Sequence, residues 1–167
     1  MADTPTSNLT HFDADGRPRM VDISAKSPTH RTASAEGWVN FSKTAYAQIS
    51  NGSVEKGDVI AIAELAGVMG AKRTADLVPL CHPLPLTGVN VRVEKIDDRM
   101  ALRVQADVKT NGKTGVEMEA LAAVSVACLT IYDMAKAIDK AITIDAIRLL
   151  EKTGGKSGDF KADSEFK

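Results

Sequence analysis

Neither a long apolar run nor an excess of charge of one sign is present in this sequence. The longest uncharged apolar run, Ala120–Tyr132, has thirteen residues, whereas about 20 are needed to span a bilayer. The formal charge of −1 at pH 7 provides no overall field that would attract nucleic acid or an anionic membrane. We therefore expect neither of these partners.

Cysteine is also scarce, since Cys81 and Cys128 are the only two. Two cysteines cannot build a disulfide framework, and Cys128 lies in the apolar run, where it is expected to pack as a small hydrophobe. The N-terminal residues lack the apolar core of a secretory signal. These absences predict a cytoplasmic protein with reduced thiols.

The composition is that of one ordinary globular domain, with 167 residues of which 44% are hydrophobic and 26% charged. Residues 1–18 are polar and turn-rich, and residues 154–167 are rich in glycine and charged residues. We predict a flexible tail at each of these positions and a single folded domain over residues 19–153.

Between the tails, the hydrophobic period changes along the chain from two to 3.6 and back. The predicted order is strand, helix, strand, strand, helix, strand, which is the split βαβ pattern of a ferredoxin-like α/β sandwich with an antiparallel sheet, an α+β fold. Ser42 is predicted to cap a short helix that precedes the first long one, and a capping box of Thr114 and Glu117 to open the second. The predicted strands cover about 33–41, 89–94, 102–109 and 142–150, and the long helices about 58–75 and 116–137.

The helix predicted over 116–137 is apolar nearly all round, which favours oligomerisation. It has carboxylates before the apolar run and an aspartate and a lysine after it. Glu119 and Asp133 are fourteen residues apart, or about 21 Å at ~1.5 Å per residue. One small substrate could hardly contact both ends of one copy. Either the charged residues have no role beyond the helix ends, or a functional site takes its two halves from different subunits.

His82 stands out on a loop that Pro79, Pro83 and Pro85 stiffen. A rigid loop can direct an imidazole at a ligand, and its ordinary pKa suits proton transfer near neutral pH. The alternative is a histidine bound only by backbone groups. The adjacent Cys81 gives poor spacing for a zinc site, so no metal site is predicted.

Lysines and arginines near the ends of the first long helix are candidates for binding phosphate. Lys56 precedes its start, where backbone amides can also contribute, and Lys72 and Arg73 lie late in it. The structural alternatives are that Lys56 is an ordinary solvated lysine in a turn, and that Lys72 and Arg73 only stabilise the negative end of the helix dipole. Gly155-Lys156-Ser157 resembles the end of a phosphate loop, but Leu150 stands where that motif requires glycine.

The charged ends of the second long helix each have a functional and a structural interpretation. Glu117 and Glu119 suit the positive end of the helix dipole without any further role. Asp133 and Lys136 are spaced to pair on the surface. They follow a deeply apolar run, however, and a partly desolvated lysine loses some of its preference for the proton and becomes a candidate acid/base group.

Several long strings of residues are similar to those of the cyclic pyranopterin monophosphate synthase family, the C protein (MoaC) of molybdenum cofactor biosynthesis. The resemblance covers nearly all of residues 10–161. The strings are MVDISAK (20–26), KGDV (56–59), AKRTADLVPLCHPL (71–84), KTGVEMEAL (113–121), TIYDMAKA (130–137) and GGKSGDFK (154–161).

The resemblance implies a lyase that converts 3′,8-cyclo-7,8-dihydroguanosine 5′-triphosphate to cyclic pyranopterin monophosphate and releases pyrophosphate. It also implies a homohexamer, a trimer of dimers with sites at dimer interfaces, that acts after a radical S-adenosylmethionine GTP cyclase. No cofactor is required, although Mg²⁺ could accompany the phosphates. Asp133 becomes the acid/base residue, with Lys56 and Lys136 as catalytic lysines. The implied substrate-binding and supporting residues are Leu80, Cys81, His82, Met118, Glu119, Glu117, Lys72, Arg73 and Lys26.

Two other classes of function use the same residues differently. An oligomeric binding module that senses or carries a nucleotide would need the basic residues but not Asp133 or His82. A purely structural oligomer would tolerate alanine at both positions. Release of pyrophosphate from the cyclised nucleotide separates the enzyme from both alternatives.

Overall fold

Five strands and four helices make up the computed structural model, which describes residues 15–52, 54–55, 57–156 and 158–163. The two long helices are α2 and α4, which pack against each other. In chain order the elements are β1 (Thr29–Asn40), α1 (Lys43–Ser50), α2 (Val59–Lys72), α3 (Thr74–Leu77), β2 (Leu86–Ile96), β3 (Ala101–Gly112), α4 (Glu117–Ala135), β4 (Thr143–Thr153) and β5 (Phe160–Lys161).

The sheet has the strand order β2-β3-β1-β4-β5, and every neighbouring pair is antiparallel. With α2 after β1 and α4 after β3, this is the ferredoxin-like βαββαβ arrangement, so the predicted α+β fold is confirmed. The fifth strand pairs with the end of β4 through Glu151 and Lys161. It lies within residues 154–167, for which we predicted a flexible tail, and the division into one domain and two tails stays a prediction.

Alternation along the strands decides which sheet face the helices cover. In β1, Ala33, Ala35 and Val39 are buried beneath the helices, while Glu36 and Trp38 point to the other face. On that face the Glu36 carboxylate lies between two arginines, 2.8 Å from a nitrogen of each. The cavity of about 1000 Å³ beside this cluster is lined by none of the predicted site residues that the structure describes.

The predicted helix caps are partly correct. The Ser42 side chain accepts a hydrogen bond from the Ala45 amide, and Asp58 accepts from two amides in the first turn of α2. The capping box of Thr114 and Glu117 is wrong, because α4 begins after Val116 without a side-chain cap. Glu117 instead places a carboxylate oxygen 2.9 Å from the Lys152 ammonium on β4.

Close packing against the sheet and α2 explains the apolar composition of α4. Its small residues Ala120, Ala123 and Ala127 are fully buried, and Gly70 of α2 approaches so closely that an added Cβ would lie 3.0 Å from the Ala122 carbonyl oxygen. By length and a mean hydropathy of 1.4, α4 could cross a membrane, but half of that stretch is buried inside the protein. A core helix satisfies the same criterion.

The fourth strand lies where we predicted it, but its pairing with β1 is irregular. Its pairing with β1 shifts between Glu36 and Trp38, and Ala146 has a positive φ of 50°. The shift is a β-bulge, which turns successive side chains to a new face and increases the local twist. Downstream of it, β4 continues to Thr153 and brings Lys152 beside the start of α4.

Candidate functional site

The first turn of α4 and the loop before β2 together form the acidic part of the candidate site. Glu117, Met118 and Glu119 open the helix, and Cys81 and His82 lie in the loop that leads into β2. The two segments are adjacent because β3 returns the chain antiparallel to β2, so α4 starts at the sheet end where β2 begins. Sequence-distant residues are thereby brought together.

Glu119 is the buried carboxyl of this group, with 4% of its surface exposed. Loss of hydration raises the pKa of Glu119 to about 7, and repulsion from Glu117 acts in the same direction. A carboxyl group with such a pKa can give or take a proton near neutral pH.

The loop places Cys81 beside this carboxyl, and His82 is the next residue along the loop. The pKa of the Cys81 thiol is raised, first by burial and then by the Glu119 charge. His82 is half-buried, and its Nε2 lies 2.8 Å from the Val21 carbonyl oxygen. Because a carbonyl only accepts, Nε2 carries the proton in this bond, and Nδ1 remains for another partner.

A basic pocket of about 830 Å³ adjoins Glu117 at the same end of the sheet. Four cationic side chains line it, against the single carboxylate of Glu117, among the residues that the structure describes. The remaining lining is mostly threonine and glycine. The cations are Lys26, Arg31, Lys152 and Lys156.

Arg31 holds the loops around this basic pocket in place through hydrogen bonds and close packing. Its Nε donates to the Gly112 carbonyl at 3.0 Å and its Nη2 to the Lys113 carbonyl at 3.3 Å. Gly154 and Gly155 both have positive φ values, and a Cβ on Gly155 would collide with the Arg31 guanidinium. The glycine pair is therefore needed both for its conformation and for its close approach.

The basic pocket includes residues that the sequence analysis missed. Only Lys26 and Glu117 were predicted to belong to the site, whereas Arg31 and Lys152 were not singled out. They meet because β1 pairs with β4 through Thr32 and Thr153, a register that periodicity does not reveal. The glycine pair before Lys156 was the available signal. We had compared Gly155-Lys156-Ser157 with the end of a phosphate loop, but Leu150 did not fit that motif.

Lys72 and Arg73 lie outside the described lining of the basic pocket. Lys72 is the last residue of α2 and is exposed. Arg73 follows it, with its Nη1 3.9 Å from Asp76. Their predicted phosphate role stays a prediction. Lys56 lies outside the described residues.

The other end of α4 carries Asp133 and Lys136, whose Oδ1 and Nζ are 2.5 Å apart. Their side chains are 61% and 50% exposed. The bond to Asp133 raises the pKa of Lys136, so one chain alone does not produce the desolvated lysine that we expected. Because α4 is one continuous helix, Asp133 and Glu119 lie about 21 Å apart along it.

Among the described residues, no group of three or more His, Cys, Asp or Glu side chains could hold a metal ion. The groups brought together are carboxyl, imidazole, thiol and ammonium side chains. They suit proton transfer and anion binding.

Comparison with known proteins decides the family. The model of the MoaC family matches residues 20–155. The chain belongs to the MoaC family. Relatives within it include the cyclic pyranopterin monophosphate synthases of Dinoroseobacter shibae, 57% identical over 94% of this chain and 99% of that protein, and of Lysinibacillus sphaericus, 54% identical over 92% and 98%. That of Cereibacter sphaeroides is 58% identical over 95% and 99%.

The family match contains the whole set of sequence-predicted site residues, since Lys26 and Lys136 are the first and last of them along the chain. Of the basic pocket, Lys152 lies inside the match and Lys156 one position beyond it. The matched region thus includes both ends of α4 and all of the described pocket lining except Lys156.

The buried Glu119 should make stability depend on pH. Its pKa is about 7 in the folded chain and about 4.5 in the unfolded chain. Between these values the unfolded chain ionises the carboxyl more readily than the folded chain does. The stability that is fully present below pH ~4.5 is therefore lost as the pH rises through ~7. Glu119→Gln should be more stable than the parent by about 3 kcal/mol above pH 7, with the difference vanishing near pH 4.5. Denaturant unfolding across this pH range measures the difference.

Glu151→Gln, at an exposed position on β4, is the matched control and should change stability by less than about 0.5 kcal/mol throughout. If the difference in unfolding free energy between Glu119→Gln and the parent did not change with pH, burial would not be raising the pKa of Glu119.

Proposed function

We propose that this protein is a cyclic pyranopterin monophosphate synthase of molybdenum cofactor biosynthesis. It converts (8S)-3′,8-cyclo-7,8-dihydroguanosine 5′-triphosphate to cyclic pyranopterin monophosphate and releases pyrophosphate. The observation that carries this proposal is the basic pocket lying next to a buried carboxyl with a near-neutral pKa. The synthases among its relatives support the same activity.

The reaction requires proton transfers and one phosphoryl transfer. The guanine imidazole ring opens and re-closes as a pyrazine ring, with protons moved between nitrogen, carbon and oxygen atoms. A ribose-derived hydroxyl oxygen then attacks the α-phosphorus, its proton passes to a base, and the bond to the bridging oxygen of the leaving pyrophosphate breaks. No step transfers electrons to an acceptor, so the chain's own side chains can supply the catalysis.

The phosphate end of the substrate fits the basic pocket. Lys26, Lys152 and Lys156 place positive charge there, which stabilises both the triphosphate and the charge that develops on the departing pyrophosphate. Lys152 already contacts the Glu117 carboxylate, so an incoming phosphate can replace one anion with another. Mg²⁺ could accompany the phosphates, but no cofactor is required in this proposal.

The base end of the substrate fits between the first turn of α4 and the loop before β2. Glu119 and His82 orient the guanine-derived ring, with Nδ1 of His82 available for it. Leu80, Cys81 and Met118 line the space around the ring. Asp133 and Lys136 move protons at the ring, together with Lys56, and Lys72 and Arg73 support the phosphates.

These roles require two chains, because Asp133 lies about 21 Å from Glu119 on the same rigid helix. A two-fold axis across α4 would set the start of each α4 against the end of the other and create two identical sites. Exposed apolar side chains on the outer surfaces of α2 and α4, at Ile62, Leu65, Met69 and Leu129, suit such a contact. Three such dimers would form the homohexamer.

The proposed setting is the cytoplasm, where the free thiols of Cys81 and Cys128 remain reduced. The substrate contains a carbon–carbon bond that this site cannot make. A radical S-adenosylmethionine GTP cyclase would therefore act first.

The activity is tested directly by incubating the purified protein with the cyclised nucleotide triphosphate. We expect release of pyrophosphate and formation of the cyclic phosphate in equal amounts. Tight binding of the nucleotide without release of pyrophosphate would instead identify a binding module and overturn the proposal.

The shared site predicts complementation between two inactive variants. Asp133→Asn and Glu119→Gln should each be inactive alone. Random pairing after subunit exchange makes about half of the dimers mixed, each with one intact site, so about a quarter of the parental activity should return. Mixed dimers that are demonstrated by mass spectrometry but stay inactive would exclude a shared site.

The basic pocket predicts which lysines bind pyrophosphate. Lys26→Ala and Lys156→Ala should each weaken inhibition by pyrophosphate about 10-fold, since a hydrogen bond to a charged group contributes about 1.5 kcal/mol or more. Lys109→Ala, at an exposed position on β3 outside the pocket, should have no effect. Lys72→Ala tests the hypothesis that Lys72 binds phosphate. If Lys72→Ala weakened inhibition by pyrophosphate and the two pocket variants did not, the phosphates would bind outside the basic pocket.

A further inference from the structure

Residues 20–26, which we call the strap, have no helical or strand structure, yet they lie against the candidate site. Val21 and Ile23 are half-buried, and the other five residues are exposed. Little apolar burial therefore holds the strap. Its position must come mainly from polar contacts.

Two side chains from different parts of the site bind the backbone of the strap. The His82 Nε2 donates to the Val21 carbonyl at 2.8 Å, and the Lys113 Nζ donates to the Ser24 carbonyl at 2.7 Å. His82 belongs to the loop before β2, whereas Lys113 belongs to the turn between β3 and α4. The strap thus bridges the two segments that frame Glu119.

Asp22 organises the strap between these two anchors. Its Oδ1 accepts a hydrogen bond from the Ser24 amide at 2.8 Å, and the Lys26 amide donates to the Ile23 carbonyl at 3.1 Å. The pKa of Asp22 is lowered, first by its bonds to Ser24 and also by the positive charge of Lys113. Asp22 is therefore a carboxylate that attracts the Lys113 ammonium while it fixes the turn.

The far end of the strap forms one wall of the basic pocket, through Ala25 and Lys26. Any movement of the strap would displace Lys26 from the phosphate end and free the His82 ring to rotate. A displacement of about 1 Å in such a site can reduce turnover about 100-fold.

We propose that Lys113 and Asp22 are positioning residues that act through the strap, and that they hold His82 and Lys26 in place for the substrate. This inference rests on the proposed function. Lys113 is distinct from the lysines of the basic pocket, because its ammonium binds a backbone carbonyl and it is not among the described residues that line the pocket. Neither residue contacts the reacting atoms in this proposal.

The main test compares Lys113→Met with Lys113→Arg. Methionine should lower kcat, because His82 loses its fixed orientation, and raise KM, because Lys26 moves, for a combined loss in kcat/KM of about 10- to 100-fold. Arginine can still donate to the Ser24 carbonyl and should retain most activity. Lys109→Met, on β3 outside the strap contacts, is the control and should match the parent.

Hydrogen exchange distinguishes this positioning role from a direct contact with substrate, because losing a substrate contact would not change exchange in the strap. The Ser24 and Lys26 amides are bonded within the strap, so a peptide covering residues 20–28 should exchange faster in Lys113→Met and in Asp22→Ala, without substrate. His82→Ala should have the same effect. Asp22→Asn keeps a side-chain oxygen for the turn and should change exchange less than Asp22→Ala.

The two variants should also be non-additive, because Lys113→Met and Asp22→Ala release the same segment. Additive losses in kcat/KM would contradict the proposal. So would a loss of activity in Lys113→Met with unchanged exchange at residues 20–28, which would indicate that Lys113 contacts substrate directly.

Failure of the proposed function can be separated from failure of the strap. Pyrophosphate binding requires no turnover, and Lys113→Met should weaken it about 10-fold through displacement of Lys26. Suppose that the parent is inactive, but Lys113→Met still binds pyrophosphate more weakly and its strap exchanges faster. This result would refute the synthase activity and support the positioning role of the strap. Parental pyrophosphate affinity and parental exchange in Lys113→Met would overturn the strap whatever the activity.

Discussion

The length and rigidity of α4 constrain the rest of the site. Nineteen residues, Glu117–Ala135, hold its acidic start and its Asp133–Lys136 end apart by a distance that no rotamer change can close. The helix cannot bend toward a substrate either, since its alanines pack directly on the sheet and on the glycines of α2. In the proposed mechanism a second copy of the same helix completes the site, so that mechanism requires an oligomer.

The proposed mechanism separates two kinds of chemistry in space. Proton transfer is assigned to Glu119, His82 and the Asp133–Lys136 pair, whereas phosphate binding is assigned to the basic pocket. Glu119 keeps a high pKa because burial removes its hydration and the neighbouring Glu117 charge repels a second negative charge. An arriving Asp133–Lys136 pair from a partner chain would bring no net charge, so burial would remain the dominant cause of the shift.

Much of this arrangement could be predicted from the sequence because it depends on local pattern. The alternation in β1 to β3 and the apolar run of α4 determine which faces pack, and these determine the βαββαβ order. The basic pocket could not be predicted in the same way. Arg31 and Lys152 meet only through the β1–β4 register. That register follows two shifts in the pairing, one between Glu36 and Trp38 and one between Ser34 and Ala35, which a simple period of two does not encode.

Two segments without helical or strand structure supply two walls of the basic pocket. Residues 20–26 and 154–156 bury little apolar surface, so hydrophobic periodicity gives no signal for them. His82 and Lys113 bind backbone carbonyls of the first segment, and the Arg31 guanidinium packs closely against Gly155 of the second. Few such bonds hold each segment, so its local opening should require less free energy than opening of the sheet. The walls of the pocket are thus its least stable part, which suits a site that must admit a triphosphate and release pyrophosphate.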